Sequence, residues 1–311
     1  MPGKFPEWLR RPWAAGETFG LTKDIVEGLR LHTVCQSARC PNIGECWARG
    51  TATVMVLGNV CSRNCAFCSV PSGKPTFDDP EEPRRVAEAV RSMELKHAVI
   101  TTVARDDLPD GGALHIAETI EAVHALNPGT TVEILVSDFQ RDPAALRTVL
   151  DAEPEVFCHN IETVERLYPS IRDRRFTYRG ALDLLSMARD HSPQTIIKSA
   201  LMAGLGETSG EVERTLRDLV ETGCEVVGIG QYLQPTQRQA EVHEFVRPEQ
   251  FEAYEKLAYD LGFKFAAAGP FVRSSYRSEE VLQTEFAQQR LAARHARVGS
   301  ERCLGRTKSA V

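Results

Sequence analysis

The chain has 311 residues, 42% of them hydrophobic, and its 37 Lys and Arg against 43 Asp and Glu give a formal charge of −6 at pH 7. This composition excludes a mostly disordered chain, and the acidic balance excludes a protein that binds nucleic acid by bulk positive charge. No stretch approaches the roughly 18 consecutive apolar residues of a membrane span, so we expect neither a nucleic acid nor a membrane as a partner.

Residues 1–50 show little regular apolar periodicity and contain three cysteines, Cys35, Cys40 and Cys46. We expect an irregular N-terminal extension there, ordered by metal ligation rather than by a hydrophobic core of its own.

Between residues 51 and 268, short β-branched apolar runs alternate with amphipathic stretches. The runs predict strands at 52–57, 98–103, 132–136, 156–159, 195–202 and 226–233, with a further candidate at 264–268. The stretches between them predict helices at 83–93, 113–125, 142–150, 163–168, 178–190 and 209–222.

This repeated alternation predicts an α/β fold with a parallel sheet, arranged as a partial (β/α)6 barrel of the TIM type. The alternative is an open doubly wound sheet, but the first predicted strand is not followed by G-x-G-x-x-G. We expect residues 51–268 to form the barrel and residues 269–311 to form a C-terminal segment closing over the barrel mouth, with a helical pattern from Glu279 and a polar end.

The chain has nine cysteines, an odd number, and residues 1–20 do not show the pattern of a secretory signal, so we expect the reducing cytoplasm rather than a disulfide framework. Cys61, Cys65 and Cys68 form C-x3-C-x2-C directly after the first predicted strand, where the loops of a β/α barrel carry the chemistry. A structural zinc site usually takes four ligands, whereas three thiolates on a four-iron cluster leave one iron open. An open iron that binds S-adenosylmethionine is typical of radical chemistry, so we expect an iron–sulfur cluster here rather than zinc or a thiol relay.

Cys35, Cys40 and Cys46 form C-x4-C-x5-C, a weaker signal that would also fit zinc with a distant fourth ligand. Beside the other triplet, a second iron–sulfur cluster is the favoured interpretation. Its fourth iron would need a distant ligand, and the run Arg-Ser-Ser-Tyr at 273–276 offers one.

The two cysteine spacings together with Arg-Ser-Ser-Tyr resemble the lipoyl synthase family of radical S-adenosylmethionine enzymes, from about residue 5 to about residue 280. Further segments similar to that family are PEWLR at 6–10, CPNIGEC at 40–46, RDDLPDGGA at 105–113, HNIET at 159–163 and GQYLQPT at 230–236.

The resemblance implies two 4Fe–4S clusters. One, on Cys61, Cys65 and Cys68, would cleave S-adenosylmethionine to a 5′-deoxyadenosyl radical. An auxiliary cluster would lie on the other triplet, with Ser275 rather than Ser274 as fourth ligand. The implied reaction inserts two sulfur atoms, taken from the auxiliary cluster, at C6 and C8 of an octanoyl chain on a lysine of a carrier domain.

The resemblance also implies protein partners: an octanoylated carrier (the glycine cleavage H protein or an E2 subunit of a 2-oxoacid dehydrogenase), an electron donor such as flavodoxin or ferredoxin, and an iron–sulfur carrier that renews the cluster. Two alternatives stay open. One is another radical enzyme that inserts sulfur, such as a methylthiotransferase, and the other is a non-catalytic iron or zinc module.

Six polar residues at or near predicted strand ends are candidate contacts for S-adenosylmethionine. Asp106 and Asp107 follow the second strand, where a solvated acidic turn is the alternative. Polar side chains inside apolar runs usually face a site or a paired partner. On that ground we add Asn160, Glu162, Lys198 and Gln231.

Overall fold

We describe the protein from a computed structural model in which residues 5–11, 16–76 and 79–294 are placed. One curved sheet of eight strands runs in chain order, and its two edge strands do not pair with each other. The first strand is antiparallel to the second, and every later strand is parallel to its neighbour. The strands are β1 His32–Thr33, β2 Val54–Val56, β3 His97–Thr102, β4 Thr131–Leu135, β5 Val156–Cys158, β6 Ile196–Ala203, β7 Val226–Gln231 and β8 Phe265–Gly269.

Helices follow most of the parallel strands and pack on the outside of the sheet, as in a barrel of the TIM type. They are α1 Glu17–Gly28, α2 Val34–Ser37, α3 Ile43–Ala48, α4 Glu82–Ser92, α5 Ala113–Leu126, α6 Pro143–Asp151, α7 Tyr168–Ile171, α8 Tyr178–His191, α9 Ser209–Glu221 and α10 Pro248–Leu261. Residues 285–294 are also helical. Within the described ranges, no helix has both the length and the apolar character needed to cross a bilayer.

The predicted α/β partial barrel is confirmed, and each of the seven predicted strands matches one of β2 to β8 within two residues at either end. Five predicted helices match α4, α5, α6, α8 and α9. The sixth, at 163–168, is instead a short 3-10 turn followed by α7.

The expectation of an irregular N-terminal extension is wrong for α1, a helix of 12 residues. Its stability comes from tertiary contacts: the Phe19 ring lies 5.4 Å from that of Trp47, and Thr22 donates to the carbonyl of Trp47 at 3.0 Å. Such contacts are invisible to local periodicity.

The barrel interior is layered. At the amino ends of the strands, Val156, Ile196 and Val226 pack against Val281 and Leu282 of the C-terminal segment. The polar layer above them is a buried network of Glu133 with Lys198, Ser278 and His97. The carboxyl ends of the strands surround a cavity.

The segment that follows β8 passes across this interior. Val272 packs against Gly228 and Gly230 of β7, and Ser274 accepts a hydrogen bond from Asn160. Ser278 then reaches the polar layer. Residues 272–275 line the cavity, as expected of a segment that covers the barrel mouth, whereas Val281, Leu282 and Ala287 pack at the opposite end.

Candidate active site

A cavity of about 480 Å³ lies at the carboxyl ends of the strands. Its walls include Thr101 of β3, Ala200 of β6 and Gly230 of β7. The six candidate cysteine ligands and Ser275 line this cavity or a smaller one beside it, and Cys40 and Ser275 line both. None of the eight cysteines in the described part of the chain forms a disulfide.

The loop after β2 holds Cys61, Cys65 and Cys68 at the wall of the large cavity. The backbone N–H groups of Arg63 and Ala104 point at the sulfur of Cys61, at 3.4 and 3.3 Å, and that of Asp173 points at Cys65 at 3.3 Å. Burial raises the pKa of the Cys65 thiol and raises that of Cys68 to about 12. These sulfurs would become thiolates only with a cation to replace the proton.

Arg63 braces this loop from inside. Its Nη2 lies 2.8 Å from Asp106 Oδ1 and 2.7 Å from Asp138 Oδ1, and its guanidinium lies 4.0 Å from the centre of the Phe176 ring. Ser62 also donates to Asp106 at 2.8 Å. Asp106 therefore holds the cysteine loop in place.

Asp106 and Asp107, two predicted cofactor contacts, are not among the residues that line the cavity. Asp107 is paired with the guanidinium of Arg105 at 2.8 Å, which fixes the turn after β3. Both carboxylates already have protein cations as partners, and those pairs orient the backbone around the cluster loop.

Lys198, another predicted cofactor contact, is not among the residues that line the cavity. Its ammonium is 2.8 and 3.0 Å from the two carboxylate oxygens of Glu133, and it donates to Ser278. Burial opposes ionisation of Glu133, but Lys198 outweighs burial and lowers the pKa of Glu133 to about 2. A polar residue inside an apolar run is expected either to face a site or to pair with another polar group, and Lys198 is paired with Glu133.

Gln231 lines the cavity, but its amide is engaged elsewhere. Its Nε2 donates to the carbonyls of Tyr232 and Glu244, both at 2.9 Å, and its Oε1 accepts from the N–H of Val246 at 2.8 Å. The Gln231 side chain therefore fastens the loop that follows β7.

Asn160 and Glu162 do line the cavity. Asn160 Nδ2 lies 3.2 Å from Glu162 Oε1 and 2.8 Å from Ser274 Oγ. Burial raises the pKa of Glu162, against the opposing effect of Arg172 at 3.8 Å. Glu162 also has a φ of +66°, a left-handed conformation that a non-glycine residue adopts at a cost and that is frequent at functional sites.

Arg172 and His159 also line the cavity, and neither is among the six contacts predicted from the sequence. Within the described chain, Arg172 Nε and His159 Nε2 are buried and have no hydrogen-bond partner. The Arg172 guanidinium lies 3.7 Å from the centre of the Phe176 ring. No motif marks Arg172, whereas the strand-end position of His159 was the available signal.

The smaller cavity, of about 40 Å³, brings together Cys35, Cys40, Cys46 and Ser275. Burial, with the neighbouring Cys35 and Cys40, raises the pKa of Cys46 to about 12. Ser275 comes from the segment after β8, so ligands from the two ends of the sequence meet here.

The donor sets fit iron–sulfur clusters. Each group offers three cysteine sulfurs, the ligands that such clusters take, and the second group adds a serine oxygen. Among the described residues, no three His, Cys, Asp or Glu side chains converge tightly enough to ligate a single metal ion. Sulfurs distributed around a cavity suit a cluster, in which each iron takes one protein ligand.

Comparison with known proteins identifies the family. The Radical SAM superfamily profile matches residues 55–219. The chain is 50% identical to the lipoyl synthase of Thermus thermophilus over 278 residues, which is 89% of this chain and 86% of that protein. It is 50% identical to the lipoyl synthase of Caldanaerobacter subterraneus subsp. tengcongensis, over 90% of this chain and 97% of that protein.

Among solved structures, the fold resembles the FeFe-hydrogenase maturase HydG from Carboxydothermus hydrogenoformans, with a TM-score of 0.54 at 15% identity. That match covers 73% of this chain and 64% of HydG, and it supports the fold alone. On the strength of the full-length relatives, the chain belongs to the lipoyl synthase family, radical S-adenosylmethionine enzymes that use two 4Fe–4S clusters to insert sulfur.

Proposed function

We propose that the two cysteine triplets of this lipoyl synthase divide the work. Cys61, Cys65 and Cys68 hold the cluster that cleaves S-adenosylmethionine, and Cys35, Cys40 and Cys46 with Ser275 hold the auxiliary cluster that supplies sulfur. The observation that carries this proposal is the position of Cys40 and Ser275, which line both the small cavity and the large one. An octanoyl group lying in the large cavity would therefore have Cys61, Cys65 and Cys68 on the wall around it. Cys40 and Ser275 of the auxiliary set would line the same cavity.

The clusters, when bound, supply reductive cleavage of S-adenosylmethionine and the sulfur atoms. The protein's own part is to bind and orient. Asn160 and Glu162 offer an amide and a carboxyl group to the polar groups of S-adenosylmethionine. Arg172, with a free Nε, is placed to pair with its carboxylate, because a buried guanidinium without a full set of acceptors favours an anion.

The rest of the cavity suits a hydrocarbon chain. The substrate is an octanoyl group on a lipoyl carrier, and an apolar lining excludes water and would hold such a chain through dispersion contacts and hydrophobic burial. The apolar residues that line the cavity include Met55, Val103, Leu135, Leu201 and Met202.

For the partners, we propose the glycine cleavage H protein or the E2 subunit of a 2-oxoacid dehydrogenase as the carrier, flavodoxin or ferredoxin as the electron donor, and an iron–sulfur carrier protein for cluster renewal. We propose the cytoplasm as the location, because thiols that must bind iron need a reducing compartment. Functionally, residues 1–50 and 269–311 would supply the auxiliary ligands, and residues 51–268 the radical barrel.

Ser275 is the better candidate than Ser274 for the fourth auxiliary ligand. Ser275 lines the small cavity with the three cysteines, whereas Ser274 lines only the large cavity and accepts from Asn160 at 2.8 Å. A hard serine oxygen is a poorer ligand for iron in a sulfide cluster than a thiolate. Ser275 would therefore be the first ligand to leave when the cluster gives up sulfur.

Substitution tests this assignment. Ser275→Cys should retain both clusters and form 5′-deoxyadenosine, but it should insert little sulfur into an octanoyl-lysine peptide weighed by mass spectrometry. Ser274→Cys is the matched control and should keep most of the sulfur insertion. Normal double insertion by Ser275→Cys would show that an easily released serine is not needed.

A further inference from the structure

The serine segment, residues 271–279, is joined to α3 by a row of side-chain contacts on one face of that helix. Asn42 Nδ2, at the start of α3, donates to the carbonyl of Phe271 at 2.7 Å. Arg49, just after the helix, pairs with Glu279 at 2.6 Å. Between them, Glu45 contacts Tyr276 and Arg277.

The spacing of these contacts sets a register. Residues 42, 45 and 49 are three and four positions apart, so they lie on one face of the helix. Cys46, four positions after Asn42, lies on the same face and lines the small cavity. The row of contacts therefore straddles a cysteine on α3 and Ser275 on the segment, and it brings the two towards each other.

Glu45 is the centre of this row. Its Oε1 accepts from the Tyr276 hydroxyl at 2.9 Å and lies 3.2 Å from Arg277 Nη2, and its Oε2 pairs with Arg11. Arg11 also lies 3.9 Å from the centre of the Phe271 ring. One carboxylate thus gathers three side chains, two of which immediately follow Ser275.

We propose that Glu45 is a positioning residue for the auxiliary cluster, holding the segment in the register at which Ser275, not Ser274, faces the three cysteines. This inference rests on the proposed assignment of that cluster. Without Glu45 the segment would still be held at its two ends, by Asn42 and by Arg49, but it would lose the contacts next to Ser275. The fourth iron would then lose its serine and leave easily.

The test measures how fast the auxiliary cluster loses one iron. The cluster on Cys61, Cys65 and Cys68 would have an iron without a protein ligand and could release it too, so the 311-residue chain is used in a Cys61→Ala, Cys65→Ala, Cys68→Ala background. Glu45→Ala, Glu45→Gln and the control Glu252→Ala, at an exposed site of α10, are reconstituted anaerobically. They are then oxidised in the presence of an iron chelator and followed by released iron and by the paramagnetic signal of a three-iron cluster.

The control should hold about four irons per chain and release them slowly. Glu45→Ala should release one iron at least about tenfold faster than the control, and the signal of a three-iron cluster should appear as it does so. The reason is that loss of a residue that orients a metal ligand typically weakens metal binding by about 10- to 100-fold. Glu45→Gln keeps a hydrogen-bond acceptor and should fall between them. Thermal melting of all three should agree within a few degrees because Glu45 is partly exposed.

Release from Glu45→Ala at the control rate would overturn the role of Glu45 alone. If Glu45→Ala does not fold, the rate of Glu45→Gln decides, and equality with the control overturns the proposal. A control that binds no iron would instead overturn the auxiliary cluster assignment, and this inference with it.

Discussion

His159 illustrates how burial can set the protonation state of a single residue in the cavity wall. Its Nδ1 donates to the carbonyl of Val136 at 3.0 Å. Burial, with the nearby charge of Arg172 acting in the same direction, lowers the pKa of His159 to about 4. The folded protein therefore holds a neutral imidazole at neutral pH, and its Nε2 is an acceptor without a hydrogen-bond partner among the described residues.

This buried histidine should make the protein less stable in mild acid. The unfolded chain binds a proton at His159 near pH 6.5, while the folded chain does so only near pH 4, so stability is full above pH 6.5 and declines as pH falls towards 4. The loss should reach about 1 kcal/mol at pH 5.5. Anaerobic urea unfolding at pH 7.5 and 5.5 measures this fall in the free energy of unfolding. In His159→Gln the free energy of unfolding should fall by about 1 kcal/mol less between the two pH values. An unchanged pH dependence in His159→Gln would contradict the result.

At the scale of elements, β7 carries two inward-facing glycines that give room to the segment after β8. A Cβ at Gly230 would lie 2.0 Å from the carbonyl oxygen of Val272, whereas a Cβ at Gly228 would meet Ala200 only at 3.5 Å. A glycine in a strand often marks such a close approach by another backbone. Gly230 is therefore required by the segment that carries Ser275, and Gly228 is not.

These two glycines form a matched pair for substitution. Gly230→Ala should displace residues 272–275 and lower the anaerobically reconstituted iron from about eight to about four per chain, because the cluster on the β2 loop does not depend on that segment. Gly228→Ala should keep about eight. Equal iron in both variants would show that the segment tolerates the shift.

The sequence predicts the strands and helices that depend on local residue patterns. Alternating β-branched runs located β2 to β8, and Pro143 at the start of α6 behaves as expected at a first helical position. The two-residue strand β1 and helix α10 went unpredicted. For β1 the reason is that its pairing with β2 is a tertiary contact across about twenty residues.

The sequence predicts candidate site residues where the spacing of cysteines indicates a ligand set. It does not predict the role of a side chain whose partner is distant in the sequence. Both triplets are read directly from the cysteine spacing. For Lys198, in contrast, its own strand does not reveal that its partner is Glu133, because the two residues lie 65 positions apart. The engagement of Gln231 with the loop at 244–246 is equally invisible in its own strand.

At the scale of the whole molecule, the barrel separates stability from chemistry. The amino ends of the strands are sealed by an apolar layer with the C-terminal segment, and an ion pair lies above it. The carboxyl ends of the strands surround the large cavity. Cysteines from near the N-terminus, cysteines of the β2 loop and Ser275 of the segment after β8 line this cavity or the small one that shares Cys40 and Ser275 with it, and we propose that two clusters there act on one substrate.

The division of labour between the triplets is tested most directly by removing the auxiliary one. Cys35→Ala, Cys40→Ala, Cys46→Ala is reconstituted with iron and sulfide and given reductant, S-adenosylmethionine and an octanoyl-lysine peptide, and 5′-deoxyadenosine and peptide mass are measured together. We expect 5′-deoxyadenosine to form while the peptide gains no sulfur, whereas the wild type forms the lipoyl peptide. A lipoyl product from the variant would contradict the account.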